Sequence, residues 1–528
     1  MQERIVIVEM CWERSRVQVD FMRQIASTID PELCRIMDNL LSQLAIRLEL
    51  AVKKIQEVVD RESCHRPGLL GFGSRVRKTA YLMKKDALDN IIQDLEIWQR
   101  RFDPSWFLLM KIANPVIDQE LQKARARAPA SNPTTAILVK DAQPAKVKRA
   151  VQASETSATA ATSPLALASG LRDALSRNPK QPAIFLPPDL SEFVEIPHST
   201  ARAARRKAGD ARWYIIDSVH CRPGADVSIT TRDVRDLATK LSRADPFAFG
   251  LLQCKGVVRV GYPAPSRQIQ AFDFVFRAPY ETDALQSLRQ LLVSSDENIS
   301  LTRKFRIACQ LARSVNYVHT FNFVHKNIRP ESILCFEDVE AGKSHTFLVG
   351  FDVFRSADGG TMLLGDIAWD RNVYRHPHRQ GQFLTEQYDM RHDVYSLGVC
   401  LLEIGLWESF VDNGDGDKKS PSRLGESFQR FKAWLDARNS EEEHTMPRNA
   451  RFLDDLSSRL KDYLVETAKE KLPARMGDKY TKVVVSCLTC LDERDDIDGL
   501  ENSLDKDGIL AGCHFIETIL QDLDTVCL

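Results

Sequence analysis

The chain has 528 residues, too many for one hydrophobic core, so two or three domains of ~150 residues each are expected. Its 43% hydrophobic and 27% charged residues are ordinary for globular protein, and no apolar run is long enough to span a bilayer unaided. Lys+Arg 72 against Asp+Glu 73 leaves a net charge of -1, which excludes a global field for nucleic acid, and no nucleic-acid partner is expected.

From the N-terminus, Ile5-Val6-Ile7-Val8 is a short apolar stretch ahead of charged residues. Leu33, Ile36, Met37, Leu40, Leu41, Leu44, Leu48, Ala51, Val52, Ile55, Val58 and Val59 then follow at three- and four-residue steps, the pattern of a long amphipathic helix. After the break at Pro67-Gly68 and Gly71-Phe72-Gly73, Leu88, Ile91, Ile92, Leu95, Trp98 and Phe102 set out a second helix that packs antiparallel on the first. Residues 1–123 therefore read as an all-α bundle. Residues 124–182, rich in Ala, Ser, Thr and Pro, read as a flexible linker spanning roughly 40 Å.

Downstream, Trp213-Tyr214-Ile215-Ile216 and Phe272 to Phe276 read as strands, and the apolar spacing from Thr302 to Phe321 as a helix. That helix leads into His325-Lys326-Asn327-Ile328-Arg329-Pro330-Glu331-Ser332-Ile333-Leu334, followed by Phe347-Leu348-Val349-Gly350-Phe351-Asp352, Tyr374-Arg375-His376-Pro377-His378 and Asp393-Val394-Tyr395-Ser396-Leu397-Gly398-Val399. In this order the segments resemble the catalytic loop, the metal-binding strand end, the end of the activation segment and the buried helix of protein kinases. The resemblance covers roughly residues 183–528. It implies an α+β bilobal fold with a small lobe at 183–279, a hinge at Ala278-Pro279-Tyr280 and a large lobe at 280–528.

The positions that carry kinase chemistry differ. In His-Arg-Asp-Leu-x-x-x-Asn the Asp accepts the substrate's proton and the Asn holds magnesium. Here Asn327 and Ser332 stand in those places, and an amide cannot serve as a carboxylate base. His325, Asn327, Arg329 and Ser332 are thus the degenerate catalytic positions, with none intact. Gly350 stands at the metal-ligand Asp of Asp-Phe-Gly, and Asp352 is displaced two residues along. Asp217 follows the strand at the ATP-binding lysine's place, and no glycine-rich loop precedes it, only Pro187-Pro188 and the basic run Arg202 to Lys207. Phe351, Pro377, Asp393 and Gly398, the architectural positions, are retained, whereas His378 replaces the activation segment's final Glu.

In the helical region, Arg75-Val76-Arg77-Lys78-Thr79-Ala80-Tyr81-Leu82-Met83-Lys84-Lys85, with Asp94-Leu95-Glu96-Ile97-Trp98-Gln99-Arg100-Arg101-Phe102-Asp103, resembles the fungal HeLo, or prion-inhibition and propagation, domain. That resemblance implies a membrane-acting bundle in cell death or heterokaryon incompatibility, with an anionic membrane as partner through its basic face. Without its family's apolar first helix, the chain is either shortened or has lost the membrane step.

Other motifs fail. Gly342-Lys343-Ser344 lacks the earlier glycine of a P-loop, and a calcium loop around Gly508 would put Ser503 and His514 where carboxylates are needed. Cys487-Leu488-Thr489-Cys490 has zinc spacing but no second pair, and it continues a buried helix. The 12 cysteines lack disulfide spacing and the N-terminus lacks a signal-peptide pattern, which favours an intracellular, cytoplasmic protein with reduced thiols.

The leading expectation is a pseudokinase, non-enzymatic, acting as a signalling or scaffold protein that restrains or releases the helical bundle. It has no cofactor and no metal, and a protein partner or a second copy as ligand. An atypical protein kinase using ATP and magnesium, and a plain interaction module, are the alternatives.

Overall fold

The structure is a computed structural model that describes residues 2–58, 78–112, 114–127, 164–175, 184–206, 212–221, 227–261, 269–279, 285–294, 299–338, 343–351, 354–356, 364–366, 369–383, 387–412, 423–424, 426–439, 451–492 and 509–526. They fall into two compact units, Met1–Arg177 with Asp505–Cys513, and Asn178–Leu504 with His514–Leu528.

The first unit is helical. Helices α1 (Gln2–Ile25), α2 (Pro31–Val58), α3 (Lys78–Leu108), α4 (Pro115–Arg127) and α5 (Pro164–Leu175) are described. The α2 stripe from Leu33 to Val58 is buried at Leu33, Ile36, Leu40, Leu44, Leu48, Ala51 and Ile55, with Leu41 and Val52 at its margin. Ion pairs fix the hand of the packing. Lys84 meets Glu57 at 2.6 Å and Arg47 meets Asp94 at 3.0 Å, so α3 runs antiparallel to α2. Arg4 with Asp89 and Arg14 with Asp103, both at 2.5 Å, set α1 parallel to α3.

Helix α1 absorbs the Ile5–Val8 stretch: Val8 is fully buried against Leu44, Leu88 and Leu95. Its seam continues through Ser15, Gln18, Phe21 and Ile25, all buried. Gln99 Nε2 donates to Gln18 Oε1 at 3.3 Å and Ser15 Oγ to Gln99 Oε1 at 3.3 Å, so a polar layer crosses the bundle, in which Gln18 Nε2 is left without a partner.

The expectation of an unbroken linker over 124–182 is corrected at its two ends. Helix α4 continues to Arg127, and α5 forms at Pro164–Leu175 with Ala168 and Leu171 buried. The physical reason is Arg172, whose guanidinium donates to Asp118 Oδ1 at 2.7 Å, Ile112 O at 2.7 Å and Met110 O at 2.9 Å, anchoring α5. Residues 128–163 lie outside the described residues. So do Arg75, Arg77 and Val59 of the sequence expectations. Among the described residues no helix is long and apolar enough to cross a membrane.

The second unit is α+β. Strands β1 (Phe185–Leu186), β2 (Leu190–Glu195), β3 (Arg202–Arg206), β4 (Trp213–His220), β5 (Cys254–Gly261) and β6 (Ile269–Arg277) form one sheet in the order β1-β5-β6-β4-β3-β2. It is mixed, because β1 runs parallel to β5 and the other pairs are antiparallel. Helix α6 (Val227–Ser242) connects β4 to β5 and buries Val234, Leu237 and Leu241. A second sheet, β10-β9-β7, joins β7 (Leu285–Ser287), β9 (Ile333–Asp338) and β10 (Lys343–Leu348).

Helices dominate the remainder: α7 (Leu288–Val293), α8 (Leu301–Thr320), α9 (Trp369–Asn372), α10 (Met390–Leu406), α11 (Arg451–Met476) and α12 (Asp478–Leu488). Helix α10 is buried on every side from His392 to Leu406. Gly398 explains how α12 approaches it, since a Cβ there would meet Cys487 Cβ at 2.7 Å. Asp389 caps α10 by accepting from Arg391 N–H at 2.9 Å and His392 N–H at 3.3 Å.

Candidate functional site

The loop His325–Ser332 enters from the short strand β8 (Phe323–Val324) and leaves into β9. Its entry is held by Asp393, the first-turn acid of α10. The Asp393 carboxylate accepts from the backbone N–H of His325 at 2.7 Å and Lys326 at 2.9 Å, from Tyr388 OH at 2.7 Å, and lies 3.1 Å from His319 Nε2. Burial works against its charge, but the His319 contact and the other donors outweigh burial and hold it below the usual carboxylate range. His325 is fully buried with its ring 4.7 Å from that of Phe351. Burial pushes its pKa down to about 4, so it is neutral at physiological pH.

The side chains of Asn327 and Ser332 are engaged with the loop itself. Asn327 Nδ2 donates to Gly350 O at 3.1 Å, and Asn327 Oδ1 accepts from Arg329 Nε at 2.8 Å. Ser332 Oγ lies 2.7 Å from Asn327 O and 2.9 Å from Arg329 O, and accepts from Arg329 N–H at 3.2 Å. The amide and the hydroxyl thereby act as a splint that fixes the turn.

The strand end beside this loop is drawn in from the sheet. Asp217, 1% exposed on β4, accepts through Oδ2 from Gly350 N–H at 2.9 Å and Phe351 N–H at 2.7 Å. Such charge-assisted bonds contribute about 1.5–3 kcal/mol each. Gly350 adopts φ +86°, and a Cβ there would meet Ser332 Cβ at 2.6 Å, Asn327 Nδ2 at 3.1 Å and Thr200 Oγ1 at 3.3 Å. Glycine is therefore demanded twice, by backbone angle and by space. Asp352 lies outside the described residues, as does Tyr280 of the expected hinge.

The turn between β2 and β3 also docks on the loop. Ser199 Oγ donates to Glu331 O at 3.1 Å and Thr200 N–H to the same oxygen at 3.3 Å, while Ser287 Oγ donates to Pro197 O at 2.8 Å. The Glu331 side chain faces a different partner, the fully buried Arg289 of α7. Arg289 reaches Glu331 Oε1 and Glu403 Oε1 at 3.2 Å, Tyr374 OH at 2.6 Å, and Ser409 Oγ. Burial alone would raise Glu331, but Arg289 and Arg329 hold it low, whereas burial prevails at Glu403 and raises it to about 7. The four carboxylates described around the loop, Asp217, Glu331, Asp393 and Glu403, each accept hydrogen bonds from buried donors. Pro377 opens a short turn in which His376 Nδ1 accepts from His378 N–H at 3.3 Å.

Sequence reasoning singled out the His325–Ser332 loop and Asp393, which the structure brings together, but not the role of Asp217 or Arg289. The signal for the first was a lone Asp directly after the apolar Trp213–Ile216, which the structure places inside β4 rather than after it, and for the second an Arg inside the apolar run Leu288 to Val293.

No family model matches the chain. A serine/threonine-protein kinase-like protein of Arabidopsis thaliana is 33% identical over 132 residues, 24% of this chain and 35% of that protein, so the chain spans about a third of that relative's length. Among solved structures, a chain from the yeast RNA Pol II CTD kinase complex is similar over 44% of this chain and 69% of its own, at 16% identity and a TM-score of 0.28. The sequence relationship is kinase-like, with an N-terminal helical region and a C-terminal α+β region.

Proposed function

We propose that this chain is a non-catalytic, kinase-like signalling or scaffold protein. The observation that carries the reading is Asp217, whose buried carboxylate holds the Gly350 and Phe351 amides from the strand position where a kinase presents its ATP-binding lysine. Phosphates brought to that position meet an anion, and two like unit charges at 4 Å repel by about 1–4 kcal/mol between bulk water and a protein surface.

A magnesium-bound triphosphate does not fit the residues present. Gly350 has no carboxylate to offer, and the space a side chain would need there is filled by Ser332, Asn327 and Thr200. Asn327 offers an amide where a proton acceptor is required, and that amide is already bonded on both sides. Neither ATP nor magnesium is a cofactor in this reading.

The helical unit serves as the output module, engaging a protein partner or a second copy of the chain. Its HeLo-like basic stretch favours that over an anionic lipid surface at the one ion pair described there, Lys84 with Glu57 at 2.6 Å. The test is label transfer from radioactive ATP by the full chain, with magnesium or manganese and a panel of acceptor proteins, alongside Asn327→Asp. The expected result is no transfer by either; transfer by the unaltered chain overturns the reading.

A further inference from the structure

Strand β1 closes one edge of the six-stranded sheet with two residues. Phe185 pairs with Val257 and Leu186 with Val258, in parallel, and Val257 N–H donates to Ile184 O at 2.9 Å. The strand it pairs with, β5, runs for eight residues, so among the described residues most of that edge has no neighbour on the β1 side. The ladder ends where Pro187 and Pro188 follow, because neither has an N–H to give.

The edge is shaped to accept a strand. Gly256 of β5 adopts φ +149°, and a Cβ there would meet Ile184 O and Leu186 Cγ, both at 2.6 Å, so a side chain at this position would bar the approach. Leu186 packs on the apolar cluster of Tyr214, Ile216 and Val275 on one face of the sheet. Phe185 takes the opposite face, with its ring 6.3 Å from that of Phe272. Arg259 of β5 and Arg235 of α6 lie over the same ring at 3.7 and 5.5 Å. Both arginines are exposed, and among the described residues neither meets a carboxylate. The acids of α6 are engaged elsewhere, Asp236 with Lys240 at 3.1 Å and Asp233 with Arg232 at 3.4 Å.

We propose that this edge is a docking groove for an extended segment of a partner protein that carries an aromatic residue followed by acidic ones, and that β1 is the chain's own clip, which that segment displaces. Backbone pairing along β5 provides the affinity of such strand addition, and alternate side chains provide its specificity. The resident segment Ala183-Ile184-Phe185-Leu186-Pro187-Pro188 contains no acid and stops after two pairs. Continued by one residue, its register sets the next position beside Arg259, on the face that Phe185 occupies. A carboxylate there forms a charge-assisted pair with a guanidinium that the clip leaves to a ring alone. A segment without the two prolines also pairs further along β5, toward Gly261. The proposal stands apart from the catalytic question, since no residue of the His325–Ser332 loop takes part.

The test uses the full chain and fluorescence anisotropy with labelled peptides of residues 181–189: the native sequence, an acidic copy with Pro187→Glu and Pro188→Thr, and a neutral copy with Pro187→Gln and Pro188→Thr. The acidic copy is expected to bind at least tenfold more tightly than the native peptide and at least threefold more tightly than the neutral copy. Phe185→Ala in the chain weakens the clip, so it is expected to tighten binding of the acidic copy at least threefold. In that variant hydrogen exchange should rise at the Val257 amide while the amides of β4 keep their protection, which shows the sheet still folded. The double variant Arg235→Gln, Arg259→Gln, altered only at exposed positions, is expected to keep its melting midpoint and lose the preference for the acidic copy. No saturable binding of the acidic copy, equal binding of the acidic and neutral copies, or an undiminished preference in the arginine variant would each overturn the proposal. Unchanged affinity in Phe185→Ala despite faster Val257 exchange would show that β1 and the peptide do not compete, which overturns it as well.

Discussion

Replacing Gly350 with aspartate restores, on paper, the metal ligand of an active kinase, yet the structure predicts damage instead. The backbone at this position has φ +86°, which costs a non-glycine residue about 1–3 kcal/mol. The new Cβ would stand 2.6 Å from Ser332 Cβ, and relieving that contact in a packed interior adds about 1–3 kcal/mol. Together these give about 2–6 kcal/mol before the new carboxylate meets the neighbouring charge of Asp217. The assay is denaturant unfolding of the full chain, with Gly350→Ala as the comparison that isolates backbone and Cβ from charge. Gly350→Ala is expected to lose most of the stability and Gly350→Asp somewhat more. If Gly350→Asp unfolds at the wild-type midpoint, or gains magnesium-dependent nucleotide binding, the glycine argument is refuted.

Asp217→Ala should destabilise by about 2–4 kcal/mol in the same assay, because two buried amides lose their acceptor; an unchanged midpoint would contradict the role given to this carboxylate. His325, lowered from 6.5 to about 4 by burial, binds fewer protons folded than unfolded between those values. Stability is therefore fully present above pH ~6.5 and falls as the pH drops toward 4, by about 3 kcal/mol from this group. His325→Phe should flatten that slope, and a slope identical to wild type would show that the proton uptake belongs elsewhere. Arg289→Met strands Glu331 and Glu403 in the interior, with an expected loss of about 3–5 kcal/mol that thermal melts would reveal.

Much of the architecture was legible because it rests on periodic burial. The α2 stripe and the apolar face of α8 follow three- and four-residue steps, α10 is an apolar run buried on every side, and the structure buries the residues those patterns select. Helix α1 escaped because two positions of its buried seam, Ser15 and Gln18, are polar, so the apolar period breaks mid-helix. Helix α5 escaped for a related reason: its stability comes from Arg172 reaching Asp118, a pair 54 residues apart that composition cannot show. At the site, the identities of Asn327, Ser332, Gly350 and Asp217 were visible in the sequence. What each replacement does instead was not, because the bonds of Asp217 to Gly350 and of Arg289 to Glu403 span more than 100 residues of sequence and exist only after folding.

Calorimetric titration of the full chain with ATP and magnesium addresses the non-catalytic reading at its root. With Asp217 holding the Gly350 and Phe351 amides, no saturable heat and no rise in melting midpoint are expected. Stoichiometric, magnesium-dependent binding by the unaltered chain that vanishes in Asp217→Lys would show that this carboxylate serves the nucleotide, contrary to everything inferred from its place in the fold.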